Sequence, residues 1–326
     1  MTALKDLAPD VSFDLYFNPF FKIFSNTQNK TSIFWVALKW IMQLICFVPY
    51  LFKNYDLVHA HRFFLPVFNG LVYKFLRKKP LIVTSHGIKQ IENRYDSSWV
   101  KKVFNYCDLI ITVNHQMKDD FIKHFDLPSE KLYVRSCGVN FSQFDEFERE
   151  HPHEVHTNKN FTLGFVGGIK DTKCPYLFIE CIEALHKKYP IRGVMLGGGN
   201  LLEEIKEYIR MKDLPIDVLG IQQYSEVIRQ FYNFDIFIFP SGIEPFGLVG
   251  VEALYCGVPV ISSRVGGKVD YIQDGQNGLF FEKDDLQGLI DKTEYLLKNE
   301  DVLMELTNNA RSSVLNFSNS NVAKEV

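Results

Sequence analysis

The sequence predicts an α/β protein of two domains, each built on a parallel sheet with helices on both faces. Short apolar runs alternate with helix-compatible stretches throughout the chain, which is the pattern of parallel sheets. A length of 326 residues suits two domains of ordinary size. Only Gly70, Gly87 and Gly138 precede residue 150, while the other 17 of the 20 glycines follow it, so the two halves differ in their loops.

The first half is predicted to contain four strands separated by helices. The apolar runs that predict strands lie at residues 56–60, 81–85, 109–113 and 132–134. The intervening stretches that suit helices lie at residues 64–76 and 115–125. This alternation predicts parallel pairing, with ligand-binding residues at the carboxyl ends of the strands.

A polar segment at residues 146–160 is predicted to link the two halves. We therefore expect an N-terminal domain over 1–148, a linker over 149–160 and a C-terminal domain over 161–326. The spacing of His151, His153 and His156 could hold a metal, but a solvated connector with no cysteine nearby is the favoured interpretation.

The second half is predicted to repeat the same alternation of strands and helices. Its predicted strands lie at residues 161–166, 193–196, 217–219, 235–239, 260–262 and 279–281. Its predicted helices lie at residues 175–188, 201–211 and 225–231, and another begins near Phe246. Two open sheets of this kind predict a ligand cleft between the domains.

Composition and charge exclude several classes of protein. The hydrophobic fraction of 46% and the charged fraction of 23% are those of a soluble globular protein rather than a disordered or fibrous one. A net charge of -3 provides no basic field, so nucleic acid is not an expected partner. The six cysteines form no CxxC pair and the opening residues lack a signal-peptide pattern, so a cytoplasmic location with reduced thiols is expected.

The apolar run at residues 33–52 leaves three alternatives open. It is long enough to be a candidate for a membrane span, although Lys39, Gln43 and Pro49 weaken that interpretation. It could instead be a buried helix, which is narrowly favoured, or a helix that lies on a bilayer surface. Its aromatic residues and the flanking Lys30 and Lys53 motivate the hypothesis of contact with the cytoplasmic face of a membrane.

The most informative segment, at residues 239–261, predicts an anion site beside two carboxylates. Glu244 lies just before a predicted helix, and Glu252 lies eight positions further on, within it. This spacing suits two hydrogen-bond acceptors along one elongated ligand better than two ligands of one metal. The helix begins with the unpaired backbone amides of Phe246, Gly247, Leu248 and Val249. Such amides and the helix dipole favour a phosphate group.

This segment resembles the family-four (group 1) retaining glycosyltransferases of GT-B fold, which carry two glutamates separated by seven residues. The residues around the pair that also resemble the family are Pro240-Ser241, Pro245-Phe246-Gly247, Ala253, Gly257-Val258-Pro259-Val260, Gly266-Gly267 and 274–278. The resemblance implies two facing Rossmann-like domains and transfer of a sugar from a nucleotide sugar with retention of configuration. It also implies that Glu244 contacts hydroxyls of the transferred sugar and Glu252 contacts the ribose.

Further donor-binding residues follow from the same resemblance. Gly167 and Lys173 resemble the first loop of the family's C-terminal domain, in which a lysine binds phosphates. Gly168 stands where the family usually has an arginine, and Lys170 or Arg264 could replace that cation only if the geometry allows it. The loop that contains Gly198 resembles the family's next strand-end loop, and the segment that contains Ile221 resembles the edge against which the base packs, although tight turns would explain both equally well.

In the first half, His86 is predicted to point into the cleft and to donate a hydrogen bond to sugar or phosphate, with a structural capping role as the alternative. His59 and His61 are better explained by packing or by hydrogen bonds at the end of the sheet. Asn140 stands where the family commonly has aspartate and is interpreted as structural. The chain has no glycine before Gly70, where the family has a glycine-rich loop, so its first domain is expected to be shortened or rebuilt.

The predicted activity is a metal-independent hexosyl transfer to a saccharide or lipid-linked acceptor. The predicted catalytic residues are Glu244, His86 and Lys173, and no cofactor is expected because the chain contains no Asp-x-Asp triplet. Lys173 and the helix amides would stabilise the leaving diphosphate. Two alternatives remain open: a GT-B-type sugar-nucleotide epimerase, which would need no acceptor, and a catalytically silent sugar-nucleotide binder that acts as a scaffold.

Overall fold

The chain divides into two compact units, Met1–Arg135 and Ser136–Val326. A computed structural model describes residues 45–61, 65–87, 97–151 and 160–324. Each unit contains one sheet in which all the paired strands are parallel. The predicted α/β class with parallel sheets is therefore confirmed.

The sheet of the first unit has the order β1-β2-β3-β4 among the described residues. Its strands are β1 (Val58–His61), β2 (Leu81–Ser85), β3 (Leu109–Thr112) and β4 (Leu132–Val134). The helices that connect them are α1 (Leu65–Arg77), α2 (Ser97–Asn105) and α3 (His115–Phe125). Consecutive parallel strands place the carboxyl ends of β1 and β2, with the nearby histidines, at one edge of the sheet.

Local capping and apolar spacing explain why α3 forms where it does. The side chain of Asn114 accepts a hydrogen bond from the amide of Met117 at 2.6 Å, which is a helix N-cap. Met117, Phe121 and Phe125 lie four positions apart along the helix, and all three are buried. The ring of Phe121 packs against that of Phe104, with 5.2 Å between their centroids. The apolar face of α3 therefore belongs to the core of the first unit.

The sheet of the second unit has six strands in the order β10-β9-β8-β5-β6-β7. These are β5 (Phe161–Val166), β6 (Ile191–Leu196), β7 (Ile216–Gly220), β8 (Ile236–Phe239), β9 (Val260–Ser263) and β10 (Gly278–Phe281). The helices are α4 (Ser142–Glu150), α5 (Pro175–Leu185), α6 (Leu202–Met211), α7 (Tyr224–Tyr232), α8 (Leu248–Tyr255), α9 (Leu286–Lys298), α10 (Glu300–Ser313) and α11 (Asn319–Lys324).

The strand order of the second unit reverses between β5 and β8. The chain runs outward from β5 through β6 to β7, then returns to β8 on the other side of β5 and continues to β10. Right-handed crossovers in opposite directions place α5 and α8 on opposite faces of the sheet. The loops after β5 and β8 therefore separate at a topological switch point, where open α/β sheets bind ligands.

The segment predicted as the end of the first domain belongs instead to the second unit. The predicted boundary at residue 148 differs from the observed division after Arg135, since α4 is assigned to the second unit. Phe144 of α4 is fully buried and packs edge-on against Tyr255 at 5.7 Å. The polar composition that suggested a linker is that of an amphipathic helix with one buried aromatic residue. Residues 152–159 of the predicted linker lie outside the described residues.

Charged hydrogen bonds also hold α4 to the second unit. Arg311 of α10 donates to Asp145 at 2.8 Å and to Glu148 at 2.7 Å, and its guanidinium lies 4.4 Å from the centre of the Tyr255 ring. The hydroxyl of Tyr255 donates to Asp145 at 2.6 Å. These bonds connect α4 to α8 and α10, which form one face of the second unit.

The apolar run at residues 33–52 is described only from residue 45 onward. Residues 45–51 are helical, and Ile45, Val48 and Phe52 are exposed while Phe47 is buried. Within the described part of the chain, no helix is both long enough and apolar enough to cross a membrane.

Candidate functional site

The loops that follow β5 and β8 bring Lys173 and Glu244 together at the switch point. Lys173 ends a 3-10 turn (Asp171–Lys173), and its ammonium donates a short hydrogen bond to Oε2 of Glu244, 71 residues away in the sequence. The Glu244 side chain is only 8% exposed, whereas that of Lys173 is 21% exposed. A buried carboxylate and a partly open cation therefore face the carboxyl ends of the strands, as both predicted roles require.

Backbone contacts hold the Glu244 loop in place. The amide of Gly242 donates to the carbonyl of Thr172 at 3.2 Å, which joins this loop to the one that carries Lys173. The amide of Gly267 donates to the carbonyl of Glu244 at 3.2 Å. Gly266 has a φ of 62°, and a Cβ there would lie 1.7 Å from the carbonyl oxygen of Glu244, so only glycine fits this approach.

Helix α8 begins at Leu248, two residues later than predicted, because Gly247 adopts a φ of 88° and acts as its N-cap. The hydroxyl of Tyr271 donates to the carbonyl of Gly247 at 2.8 Å and fixes this start. The amides of Leu248 and Val249 occupy the first helical turn, and no protein acceptor for them occurs among the residues described. These two predicted amides are available to an anion.

Phe246 occupies a different environment from the one predicted. Its side chain is buried and packs between Tyr271 and Phe317, at 5.5 and 5.7 Å between ring centroids. Because α8 starts after it, its amide is not part of the helical turn. Its role in the structure is to anchor the loop to the core of the second unit.

Glu252 lies within α8 and is buried, as expected of an acceptor for ligand hydroxyls. The hydroxyl of Tyr224, at the start of α7, donates to Oε1 of Glu252 at 2.8 Å. Burial raises the pKa of the Glu252 carboxyl above its usual range, and the hydrogen bond from Tyr224 opposes that rise. No cation pairs with Glu252 in the described ranges, so the second oxygen is suited to neutral donors.

The glycine-rich loops after β5 and β6 lie beside each other. The amide of Gly167 donates to the carbonyl of Leu196 at 3.0 Å, and that of Ile169 donates to the carbonyl of Gly198 at 3.0 Å. A Cβ on Gly198 would lie 2.7 Å from the side chain of Ile221, which is 83% exposed. Ile221 therefore covers this loop and presents an apolar surface to solvent.

The two alternative cations for the position of Gly168 differ in their surroundings. A Cβ on Gly168 would lie 3.3 Å from Cε of Lys170, so the stem of this exposed lysine lies beside the glycine. Arg264 instead pairs with Asp274 at 3.1 Å and lies 4.3 Å from the centre of the Phe280 ring. Of the two, Lys170 is the cation next to the predicted phosphate loop.

Three histidines of the first unit, His59, His61 and His86, lie together at the carboxyl ends of β1 and β2. Nε2 of His59 is hydrogen bonded to Oγ1 of Thr84 at 2.7 Å, and Nδ1 of His61 lies 3.5 Å from Nε2 of His86. Although part of the His59 ring reaches solvent, desolvation lowers its pKa to about 4, with the charges of His61 and His86 adding to the effect. His59 thus makes the predicted hydrogen bond at the end of the sheet. The hydrogen bond from His86 to sugar or phosphate stays a prediction.

Sequence reasoning missed two residues of the site. Tyr224 shares no motif with Glu252, since the two residues lie 28 positions apart on different helices. Lys268 follows Gly266-Gly267 and is completely buried, although a lysine in a loop is expected to be solvated. Only its position directly after the glycine pair could have drawn attention to it.

The site can therefore bind an elongated anion that also carries hydroxyl groups. Lys173 and the first amides of α8 provide positive charge, while Glu244 and Glu252 provide buried acceptors. Across the described ranges no group of three or more potential ligand side chains could hold a metal ion. Asn140, interpreted as structural, accepts a hydrogen bond from the Ser142 hydroxyl at 2.8 Å just before α4.

Comparison with protein families assigns both units. Residues 146–313, just over half of the 326-residue chain, match the family described as "Glycosyl transferases group 1". Residues 15–143 match the family described as "Glycosyltransferase Family 4". The resemblance seen in the sequence motifs is confirmed.

Curated relatives are similar over most of the chain. The capsular polysaccharide biosynthesis glycosyltransferase CapM of Staphylococcus aureus is 27% identical over 271 residues, which cover 78% of this chain and 71% of CapM. The D-inositol 3-phosphate glycosyltransferase of Corynebacterium glutamicum is 25% identical over 298 residues, which cover 81% of this chain and 69% of that protein.

Solved structures share the fold at low sequence identity. HepE from Anabaena in complex with UDP has a TM-score of 0.74 at 18% identity, with 87% of this chain and 80% of HepE covered. Sucrose-phosphate synthase from Thermosynechococcus elongatus has a TM-score of 0.74 at 17% identity, with 91% and 78% covered. At this identity the likeness shows the fold, and the predicted GT-B fold, with two α/β domains built on parallel sheets, is confirmed.

Proposed function

Because the chain belongs to the group 1 glycosyltransferases, we propose that it transfers a hexosyl group from a nucleotide sugar to a saccharide or lipid-linked acceptor, with retention of anomeric configuration and without a metal. The observation that carries this proposal is the meeting of Lys173 and Glu244 at the switch point of the second sheet, beside the start of α8. This arrangement offers an anion site and hydroxyl acceptors at the place where α/β sheets bind ligands.

The proposed chemistry follows from these charges. As the bond between sugar and phosphate breaks, negative charge grows on the leaving diphosphate, and Lys173 with the amides of Leu248 and Val249 stabilises it. Glu244 accepts hydrogen bonds from the sugar, and Glu252 accepts them from the ribose. Neither carboxylate is needed as a covalent nucleophile, since a phosphate oxygen can take the proton of the attacking acceptor hydroxyl on the leaving-group face.

The first donors to test are uridine nucleotides. Structures of HepE hold UDP or UDP-glucose, and CapM is named for capsular polysaccharide biosynthesis. The exposed Ile221 beside Gly198 offers the apolar surface on which a base could stack. We therefore infer a UDP-hexose as donor and a saccharide as acceptor.

A thermal-stability screen with nucleotide sugars tests the proposal. A donor at about a hundred times its dissociation constant should stabilise the folded protein by roughly 2.7 kcal/mol. Absence of stabilisation by every nucleotide sugar would contradict the proposed donor site. Turnover assays on the stabilising donor separate the alternatives, since an epimerase converts it without acceptor and a silent binder does not convert it at all.

We also propose that the first unit binds the cytoplasmic face of an anionic membrane. Phe52 is 79% exposed, and the exposed Phe75 and Leu76 lie near the end of α1. Arg77 donates to the carbonyl of Leu51 at 2.8 Å, which brings the two apolar segments together. Exposed apolar side chains beside cations suit the surface of an anionic bilayer, where a lipid-linked acceptor would be found.

A further inference from the structure

A completely buried lysine lies directly behind the Glu244 loop. Lys268 belongs to the 3-10 turn Gly266–Asp270 and is 0% exposed. Its ammonium donates to the carbonyl of Phe239 at 3.2 Å, to the carbonyl of Ser241 at 3.0 Å and to the hydroxyl of Ser263 at 2.6 Å. It also lies 4.7 Å from the centre of the Phe239 ring.

These acceptors connect the structural elements on which the site is built. Phe239 ends β8, Ser241 begins the loop that carries Glu244, and Ser263 ends β9. The hydroxyl of Ser263 donates in turn to the carbonyl of Ser241 at 2.7 Å. One ammonium therefore holds the exits of two neighbouring strands at the point where the loop leaves the sheet.

The charge of this lysine is not explained by stability alone. No carboxylate lies within ion-pair distance of Lys268 in the part of the chain described, and its acceptors are all neutral. Burial of an unpaired cation is unfavourable, so an apolar side chain of similar size would be the more stabilising occupant. The nearest charged groups that act on it are Glu244, which favours the ammonium, and Lys173, which opposes it.

We propose that Lys268 is a positioning residue of the donor site, whose ammonium fixes the Glu244 loop and adds a positive charge behind it for the bound diphosphate. This inference rests on the proposed function, because the anion that uses the charge is the donor diphosphate. Lys268 acts by holding the Glu244 loop in place and by the electric field of its charge, and it does not contact the substrate.

Titration of Lys268 gives the proposal a specific signature. Burial lowers its pKa to about 7; the charge of Glu244 raises it, that of Lys173 lowers it, and that of Cys174 raises it. A neutral amine has two N–H donors and cannot serve three acceptors, so deprotonation loosens the loop as well as removing the charge. A bound anion favours the ammonium, so nucleotide affinity should fall as the pH rises above about 7.

The test compares Lys268→Met with Lys206→Met in titration calorimetry with uridine diphosphate between about pH 7 and pH 9. Methionine keeps the length of the stem without the charge, and Lys206 is a half-exposed lysine of α6 that pairs with Glu203. We expect K268M to bind roughly tenfold more weakly near pH 7, equivalent to about 1.4 kcal/mol. The decline of affinity with pH seen in the wild type and in K206M should be absent from K268M.

Ser263→Ala keeps the proposal testable if K268M fails to fold. It removes one acceptor of the ammonium, so the decline in affinity should move to lower pH. A folded K268M with the affinity and pH profile of the wild type would overturn the inference while leaving the proposed function intact, and so would an S263A profile identical to that of the wild type. Failure of the wild type to bind any nucleoside diphosphate would overturn both.

Discussion

Replacement of Glu252 by glutamine tests the most specific role assigned to the site. Glutamine keeps the shape of the side chain but removes the charge from an acceptor that is buried and hydrogen bonded to Tyr224 at 2.8 Å. A hydrogen bond to a charged group contributes roughly 1.5 to 3 kcal/mol. Loss of that contribution should weaken nucleoside diphosphate binding roughly 10- to 150-fold.

The pH dependence of binding offers a second measurement on the same residue. Because burial raises the pKa of Glu252, its carboxylate becomes protonated at a higher pH than an ordinary glutamate does, and the protonated group can no longer accept from two donors at full strength. Affinity in the wild type should therefore fall as the pH is lowered through this raised pKa, and E252Q should not show the fall. The hydrogen bond from Tyr224 opposes the increase in the pKa of Glu252. Tyr224→Phe removes that bond, so the loss of nucleotide affinity should begin at a higher pH.

Glu244→Gln is the matched comparison, assayed by titration calorimetry with uridine diphosphate and by release of nucleoside diphosphate during turnover. Glu244 is predicted to contact the transferred sugar, so E244Q should lower turnover far more than it lowers affinity for the nucleotide. E252Q should chiefly lower affinity. Equal effects of the two changes on binding and on rate would refute the division of roles between the two carboxylates.

Three further predictions concern the metal, the loop and the membrane. Turnover should persist in excess chelator, and a loss that only manganese restores would contradict the assignment of phosphate charge to protein groups. Gly266→Ala should destabilise the protein by roughly 3 kcal/mol or more in chemical denaturation, because its Cβ would meet a carbonyl oxygen at 1.7 Å, whereas Gly275→Ala, with φ of 75° and open space, should cost about 1 kcal/mol. Phe75→Ser with Leu76→Ser should reduce co-sedimentation with anionic vesicles, and Met304→Ser, an exposed apolar site of the second unit, should not.

The strands were the most predictable part of the fold. Each of the ten apolar runs predicted as a strand overlaps an observed strand, with ends that differ by at most two residues. Parallel strands covered on both faces are continuous apolar runs, as in β8 and β10, where all four residues are buried. Helix α4 was missed because its one fully buried side chain, Phe144, is surrounded in sequence by charges that suggest a linker.

The site was predictable where a motif fixes the backbone and unpredictable where side chains from distant segments meet. The glycine pattern around Glu244 indicated the loop and the helix start, because Gly247 and Gly266 adopt conformations that other residues resist. The contacts of Tyr224 and Lys268 depend on which elements the strand order makes neighbours. That order reverses between β5 and β8, a feature that alternation of strands and helices does not reveal.

The charges of the site bear on the proposal that an anion binds beside two buried carboxylates. Glu244 is paired with Lys173, so a diphosphate that binds as proposed must share this ammonium with the carboxylate. One ammonium shared between a carboxylate and a diphosphate leaves a net negative charge, so binding requires further positive charge near the same loop. In the proposed site, the dipole of α8 provides part of this charge at the amides of Leu248 and Val249, and the buried ammonium of Lys268 adds to it from the interior. Below about pH 7, where Lys268 is charged, solvent counterions cannot approach its buried ammonium, so its field at the site should persist in salt that screens the partly exposed Lys173.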